Sequence, residues 1–322
     1  MDWRERFAAY ARAKLPAAED VRIGRLTGMP AGASNATVGI DLEVTCDGHT
    51  FGLPLVLRSE RPDGLLAPYD IGRQYRIQRA LQRTAVPVPP TPWYEPSSEV
   101  LGTPFFVMVR LQAETLPLFW YSAHSARLDA AAAMLATIHG VEWEAAGLGF
   151  LLPAGASTPL EAELAQWRVR ADHLEVAGNP MLLALGHWLA RNEPADARLA
   201  FVHGDPNPGN SLFRGDEVVA VVDWELAALG DPRSDLGFYA ALTAVFGGMP
   251  GPGGRSVLSD AYERVTGVPL ANLEYYEAFG LYRMAIVMAG WAGRVGGFGY
   301  YGSDVIARRL AVLLGPNWMA GS

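Results

Sequence analysis

The chain has 322 residues, half of them apolar, enough to bury a large core and to exclude a disordered polypeptide. Its formal charge of -8 at pH 7 argues against nucleic acid and anionic membranes as partners, because both are bound through dense Lys and Arg. The single cysteine, Cys46, makes neither an internal disulfide nor a thiolate metal cluster, which points to a reducing compartment; the residue itself reads as a small hydrophobe packed in a strand.

In chain order, the first fifteen residues carry Arg4, Glu5 and Arg6, lack the apolar run of a signal peptide and read as a short amphipathic helix. Later apolar stretches, such as 130–138 and 285–293, fall short of the about 20 uncharged residues of a membrane span, so a soluble, cytoplasmic protein is expected. Between 22 and 57, Val38, Ile40, Leu42 and Val44 recur every second residue, Asp47-Gly48 marks a tight turn and 51–57 returns apolar, the pattern of a β-hairpin. Residues 70–83 switch to helical spacing through Ile71, Tyr75, Ile77 and Leu81, and the Pro-rich 86–92 ends that helix. A further strand pair closes at 105–111. Ala-, Leu- and Trp-rich segments at 126–139, 159–176, 180–191, 234–246 and 273–295 then read as helices. The expected class is α+β, with a β-rich lobe over 1–111 and a helical lobe over 112–322.

Between the third and fourth of those helices lies the polar loop His203-Gly204-Asp205-Pro206-Asn207-Pro208-Gly209-Asn210. A β-branched strand follows and delivers Asp223, then Trp224 and Glu225. Phosphoryl transfer needs an acceptor for the proton of the attacking hydroxyl and oxygen ligands that hold Mg²⁺ on a triphosphate, and Asp205, Asn210 and Asp223 supply that set. Asp and Asn in a Gly/Pro loop also cap helices and fix turns, and His203 reads as a structural hydrogen-bonder in preference to a proton carrier.

The spacing H-G-D-x-x-x-x-N, followed thirteen residues after the Asn by D-W-E, resembles the aminoglycoside phosphotransferase and choline kinase superfamily, which is related to the protein kinases. The resemblance spans nearly the whole chain. It implies a protein-kinase-like fold of two lobes with a nucleotide between them, ATP or GTP as co-substrate, Asp205 as catalytic base, and Asn210 and Asp223 as Mg²⁺ ligands. The run G-D-P-R-S-D-L over 230–236 is also similar to the family, and its Asp231 and Asp235 are expected to cap and orient the next helix. Gly28, Gly32, Ala33, Ser34 and Asn35 stand where kinase-like folds cover the triphosphate. Alone they read equally as a hairpin loop; beside the downstream motif they assign nucleotide contact to Ser34 and Asn35. Residues 102–111 resemble the family's hinge, which makes Met108 the candidate for base contact, although Phe106, Met108 and Arg110 read equally as one face of a strand. His139, in a loose L-x-x-L-H match, reads as core or cap.

Two positions depart from the pattern. Arg58 stands where the family carries a phosphate-binding lysine; arginine pairs with phosphate oxygens too, in a different geometry. Gln74, in R-Q-Y-R, replaces the glutamate that pairs with that basic residue, leaving a hydrogen bond from Gln74 or the carboxylate of Glu60 as substitutes. The V-L-R strand with Pro62 soon after is most similar to phosphotransferase domains linked to acyl-CoA dehydrogenases. In this superfamily the acceptor site lies in the helical lobe, here 116–181 and 275–301. There Trp120, Tyr121, Trp167, Tyr282, Trp291 and Tyr300 line a pocket or fill the core, and Glu161, Glu163, Glu274 and Glu277 attract an amine or sit on solvated helix faces. A hydroxylated acyl compound, an antibiotic and an amino alcohol are the acceptor classes left open. The rival reading is a pseudokinase, a nucleotide- or partner-binding module, motivated by Arg58 and Gln74. No G-x-S-x-G elbow or His-rich cluster supports a hydrolase, and no motif addresses oligomeric state.

Overall fold

The computed structural model describes residues 2–28, 36–60, 67–116, 125–246, 248, 250–295 and 298–321. The chain divides into two compact units, Met1–Gln82 with Val88–Gln112, and Arg83–Pro87 with Ala113–Ser322.

In the first unit, helix α1 (Trp3–Lys14) opens on a capping box: Asp2 accepts from the Glu5 N–H at 2.9 Å, and the Glu5 carboxylate accepts from the Asp2 N–H at 3.1 Å. Strands β1 (Asp20–Gly28), β2 (Ala36–Cys46), β3 (His49–Ser59), β4 (Trp93–Glu95) and β5 (Phe105–Val109) form an antiparallel sheet in the order β1-β2-β3-β5-β4. Asp47 and Gly48 both take positive φ, 49° and 69°, and Cys46 pairs with His49, which is the two-residue turn that Asp-Gly favours. Helix α2 (Ile71–Leu81) starts where Asp70 accepts from the Arg73 N–H at 2.7 Å. Alternation sends Ile40, Leu42, Leu55, Leu57, Phe105 and Val107 to one face, against Phe7 and Tyr10 of α1. Val56, Phe106 and Met108 go to the other, against Ile71 of α2. With both faces covered, β3 and β5 read as unbroken apolar runs.

The second unit is mainly helical: α3 (Ala126–His139), α4 (Pro159–His173), α5 (Pro180–Arg191), α6 (Pro232–Val245), α7 (Val257–Thr266), α8 (Leu273–Val295) and α9 (Phe298–Leu314). Thr158 and Asn179 cap α4 and α5, each followed by proline in the first turn, where its missing N–H costs nothing. Among the described residues the unit also holds two small sheets, β6 (Glu114–Thr115) with β8 (Ser211–Arg214) and β9 (Glu217–Val221), and β7 (Ala200–Val202) with β10 (Ala228–Gly230). Among the described residues no helix is long and apolar enough to cross a membrane.

Helices α6 and α8 meet through glycine. A Cβ on Gly237 would stand 2.1 Å from the backbone of Tyr276, and one on Gly280 would stand 2.6 Å from the Gly237 carbonyl oxygen. Alanine in a helix interior ordinarily stabilises by about 1 kcal/mol over glycine. Here Gly237→Ala is expected to reverse that sign and lose about 1–3 kcal/mol by forcing the helices apart. A urea or thermal midpoint equal to or above wild type would rule out the tight crossing.

Candidate functional site

The chain leaves β7 through a loop that only glycine permits. Gly204 has φ +83°, and a Cβ there would stand 2.1 Å from the Leu226 carbonyl oxygen. Fully buried Asp235, in the first turn of α6, accepts from the His203 N–H at 2.9 Å and the Gly204 N–H at 2.7 Å. His139 of α3 donates from Nε2 to the same carboxylate at 2.9 Å, and its Nδ1 lies 3.0 Å from the Tyr262 hydroxyl of α7. The expectation that both aspartates of the 230–236 run serve α6 is therefore half corrected. Asp231 is the helix cap, accepting from the Arg233 N–H at 2.9 Å, whereas Asp235 faces back and fixes the loop. Burial pushes the Asp235 carboxyl up, but the hydrogen bond and charge of His139, with His203, outweigh it and leave the group below its ordinary value.

The three residues singled out by spacing come together here. His203 accepts the Asp205 N–H at Nδ1, 3.2 Å, so Nε2 carries the proton that it donates to the Val222 carbonyl at 3.0 Å. The imidazole is thus committed to scaffolding. Asn210 donates from Nδ2 to both the carbonyl and Oδ2 of Asp205, each at 3.0 Å, which leaves its own Oδ1 as the acceptor end of the amide. The Val222 N–H, donating to the Asn210 carbonyl at 2.9 Å, ties the loop to the segment after β9. Asp223 follows in a left-handed conformation, φ 70° and ψ 57°, uncommon for a residue with a side chain and frequent at functional sites. Burial raises the pKa of Asp205, the charge of Asp223 adds to the rise, and His203 and the Asn210 hydrogen bond oppose it. Ala131, Leu135 and Ile138 of α3 give a small pocket of about 20 Å³ beside Asp205 and Asn210 an apolar wall.

Among the described residues, no group of three or more His, Cys, Asp or Glu is arranged to hold a metal. The Asn210 amide oxygen and the Asp223 carboxylate are hard oxygen donors, the kind that Mg²⁺ takes in small number beside phosphate and water.

In the first unit, Arg58 on β3 is buried and lies opposite Thr37 and Phe106 in register. Met108, opposite Val56, is buried in the α2-facing cluster with its sulfur 3.6 Å from Gln78 Nε2. Directly paired residues share a face, so Arg58, Phe106, Val56 and Met108 all look toward the α2 side. Glu60 accepts from the Ile71 N–H at 3.1 Å at the start of α2, and Gln74 is buried within that helix. Ser34 and Asn35 lie outside the described residues. Cys46, at the end of β2, is a half-buried free thiol.

Of the aromatic residues considered for an acceptor pocket, Trp120, Tyr121 and the side chains of Trp291 and Tyr300 lie outside the described residues. Trp167 is wholly buried. Tyr282 borders a cavity of about 300 Å³ with Leu164, Arg168, Leu182 and His187 from α4 and α5. Glu161 and Glu274 are exposed, but Glu163 and Glu277 are not on solvated helix faces: Glu277 forms a two-pronged pair with Arg309 at 2.6 and 2.8 Å, and Glu163 accepts from Ser234 Oγ at 3.0 Å. Burial pushes the Glu163 carboxyl up to about 8, against the pull of Arg283 and Ser234. A carboxyl raised in the folded state contributes stability below its unfolded value that is lost as pH rises toward the folded one. Stability is therefore expected to decline between about pH 4.5 and pH 8, and Glu163→Gln to flatten that decline. Urea unfolding at several pH values reads the effect, and parallel curves for the two proteins would show that Glu163 is ordinarily ionised.

Spacing alone missed the supports of the loop: the inward turn of Asp235, its partner His139, the Tyr262 hydroxyl that pairs with His139 in turn, and Arg283 of α8, whose guanidinium donates to the Gly204 carbonyl. The available signal was Arg283 itself, a lone cation in the apolar run Leu281 to Met288.

Residues 25–269 match the Phosphotransferase enzyme family. The chain belongs to that family. Acyl-CoA dehydrogenase family member 10 of Mus musculus is 30% identical over 259 residues, 73% of this chain and 24% of that protein. The chain spans about a quarter to a third of the length of the curated relatives it matches. A candidate aminoglycoside phosphotransferase of Ralstonia eutropha superposes with a TM-score of 0.64 at 25% identity, over 98% of this chain and 96% of that one. A thermostable mutant of aminoglycoside phosphotransferase APH(4)-Ia, solved as a ternary complex with ADP and hygromycin B, superposes with a TM-score of 0.56 at 16% identity, over 93% and 97% of the two chains. The fold of this family member is the kinase-like α+β arrangement that the motif resemblance implied.

Proposed function

We propose that the protein transfers the γ-phosphoryl group of ATP or GTP to a hydroxyl of a small molecule, with Asp205 as catalytic base. The observation that carries this reading is the fixed triad of groups in the second unit: Asp205 anchored through its backbone, Asn210 bonded to one of its oxygens, and Asp223 close enough to raise its pKa. Asp205 Oδ1 is the oxygen left to take the hydroxyl proton as the acceptor oxygen attacks the γ-phosphorus and the nucleoside diphosphate departs. Burial, by raising the pKa of Asp205, makes it a stronger base than an exposed carboxylate. Asn210 Oδ1 and Asp223 would hold Mg²⁺, which when bound neutralises phosphate charge.

On the same reading the first unit binds the nucleotide, with Arg58 pairing phosphate oxygens, Met108 against the base, and Ser34 and Asn35 as phosphate contacts assigned on sequence grounds. The second unit would carry catalysis and the acceptor. Similarity to acyl-CoA dehydrogenase family members favours a hydroxylated acyl compound as acceptor; an antibiotic and an amino alcohol are the other classes. The lone half-buried cysteine fits a cytoplasmic protein. Gln74, standing where a carboxylate would pair Arg58, is the observation behind a second reading, a pseudokinase that binds nucleotide without turnover.

Thermal-shift titration with ATP and GTP, each with and without Mg²⁺, followed by screening of the three acceptor classes for ADP or GDP release, separates these readings. Mg²⁺-dependent stabilisation with acceptor-dependent release supports the kinase. Stabilisation without release supports the pseudokinase, and no stabilisation by either nucleotide removes both.

A further inference from the structure

We infer that Arg283 is a positioning residue, holding the Gly204 carbonyl so that the peptide leading into Asp205 is fixed; the role rests on Asp205 being the base. Arg283 is wholly buried on α8. Its guanidinium carbon lies 4.0 Å from the ring centre of Phe238, 5.1 Å from Trp167 and 5.8 Å from Phe279, an aromatic cage from three helices. Nη2 donates to the Gly204 carbonyl, while Nε and Nη1 have no hydrogen-bond partner among the described residues. Among the described residues the nearest carboxylate oxygen is that of Glu163, 3.9 Å from Nη1.

Burial of a cation costs several kcal/mol, and a hydrophobic side chain of similar volume commonly fills such a space with equal or greater stability. What arginine adds over methionine or leucine is a donor aimed at one backbone oxygen. The peptide joining Gly204 to Asp205 then has both polar atoms engaged, its carbonyl by Arg283 and its N–H by His203 Nδ1 at 3.2 Å. The preceding peptide gives its N–H to Asp235 at 2.7 Å, so Asp205 emerges from two fixed planes. Glu163 accepts from Ser234 Oγ and stands 3.9 Å from Nη1, beyond hydrogen-bond reach, so a hydrogen-bonded ion pair with Glu163 is not what keeps the arginine in place.

Arg283→Gln and Arg283→Lys test the role through steady-state kinetics and amide hydrogen exchange over residues 201–211. In the glutamine variant kcat should fall about a hundredfold with the nucleotide KM within about twofold, as for a misplaced catalytic group, and exchange at 203–205 should accelerate. Lysine keeps the charge and one donor and should restore part of both. If the glutamine variant does not fold, the lysine variant carries the same two readouts. A lowered unfolding midpoint with kcat and exchange unchanged would reduce Arg283 to packing and overturn the inference. If the wild-type protein transfers no phosphoryl group, the assignment of Asp205 falls separately; exchange still decides whether Arg283 holds the loop, and unchanged protection at 203–205 in the variants overturns it.

Discussion

Asp205→Ala is expected to lower kcat by about two to four orders of magnitude, the usual contribution of a general base, while Mg²⁺-nucleotide affinity changes little. The same substitution should leave the unfolding midpoint unchanged or raise it. Asp205 is a carboxylate that burial and Asp223 make costly to ionise, so its loss relieves the folded state at neutral pH. A scaffold residue would behave in the opposite way, with stability lost and turnover kept. Acceptor-dependent release of nucleoside diphosphate together with a melting curve reads both quantities, and undiminished turnover would remove Asp205 from the chemistry.

Asp235→Ala should produce the largest loss of stability in the second unit, about 3–5 kcal/mol, the range for breaking a buried charged pair. Its carboxylate serves the His203 N–H, the Gly204 N–H and His139 Nε2 at a position with no exposure to water, and alanine orphans all three donors. Asparagine is no remedy, because its NH₂ would face an N–H or the histidine proton. Against a total of about 5–15 kcal/mol for an ordinary domain, such a loss unfolds a large fraction of the protein on mild warming. The pH dependence follows from the lowered pKa. The stability contributed by ionised Asp235 is present above its unfolded value, 3.8, and is lost as pH falls through the lower folded value. Urea midpoints for wild type and variant should therefore converge in strong acid, and a constant gap at every pH would show that ionisation of Asp235 does not matter.

The elements that spacing identified best are those whose local chemistry and burial agree. Asp47-Gly48 both turns the β2–β3 hairpin and suits positive φ, and α3, α5 and α8 have the extents that their apolar runs suggested. Helices α7 and α9 escaped because Gly and Pro cluster before α7 and aromatic and glycine residues blur the start of α9. The loop that carries Asp205 stood out because its candidate groups are close in sequence. Its supports did not: His139, Asp235, Tyr262 and Arg283 come from four helices, and no local pattern marks an aspartate that bonds 31 and 32 residues back along the chain. The buried states of Glu163 and Glu277 were hidden for the same reason, since their partners Ser234 and Arg309 lie on other helices.

The glycine contact between α6 and α8 acts as a calliper. Asp235 lies two residues before Gly237 on one arm and Arg283 three residues after Gly280 on the other, and these two side chains grip the N–H and the carbonyl of the same residue, Gly204. Jaw width is set where the helices touch. A library of variants at 237 and 280 scored for turnover should thus be as sparse in survivors as one at the loop itself, and survivors that fold well yet work poorly would be those in which the jaws have opened.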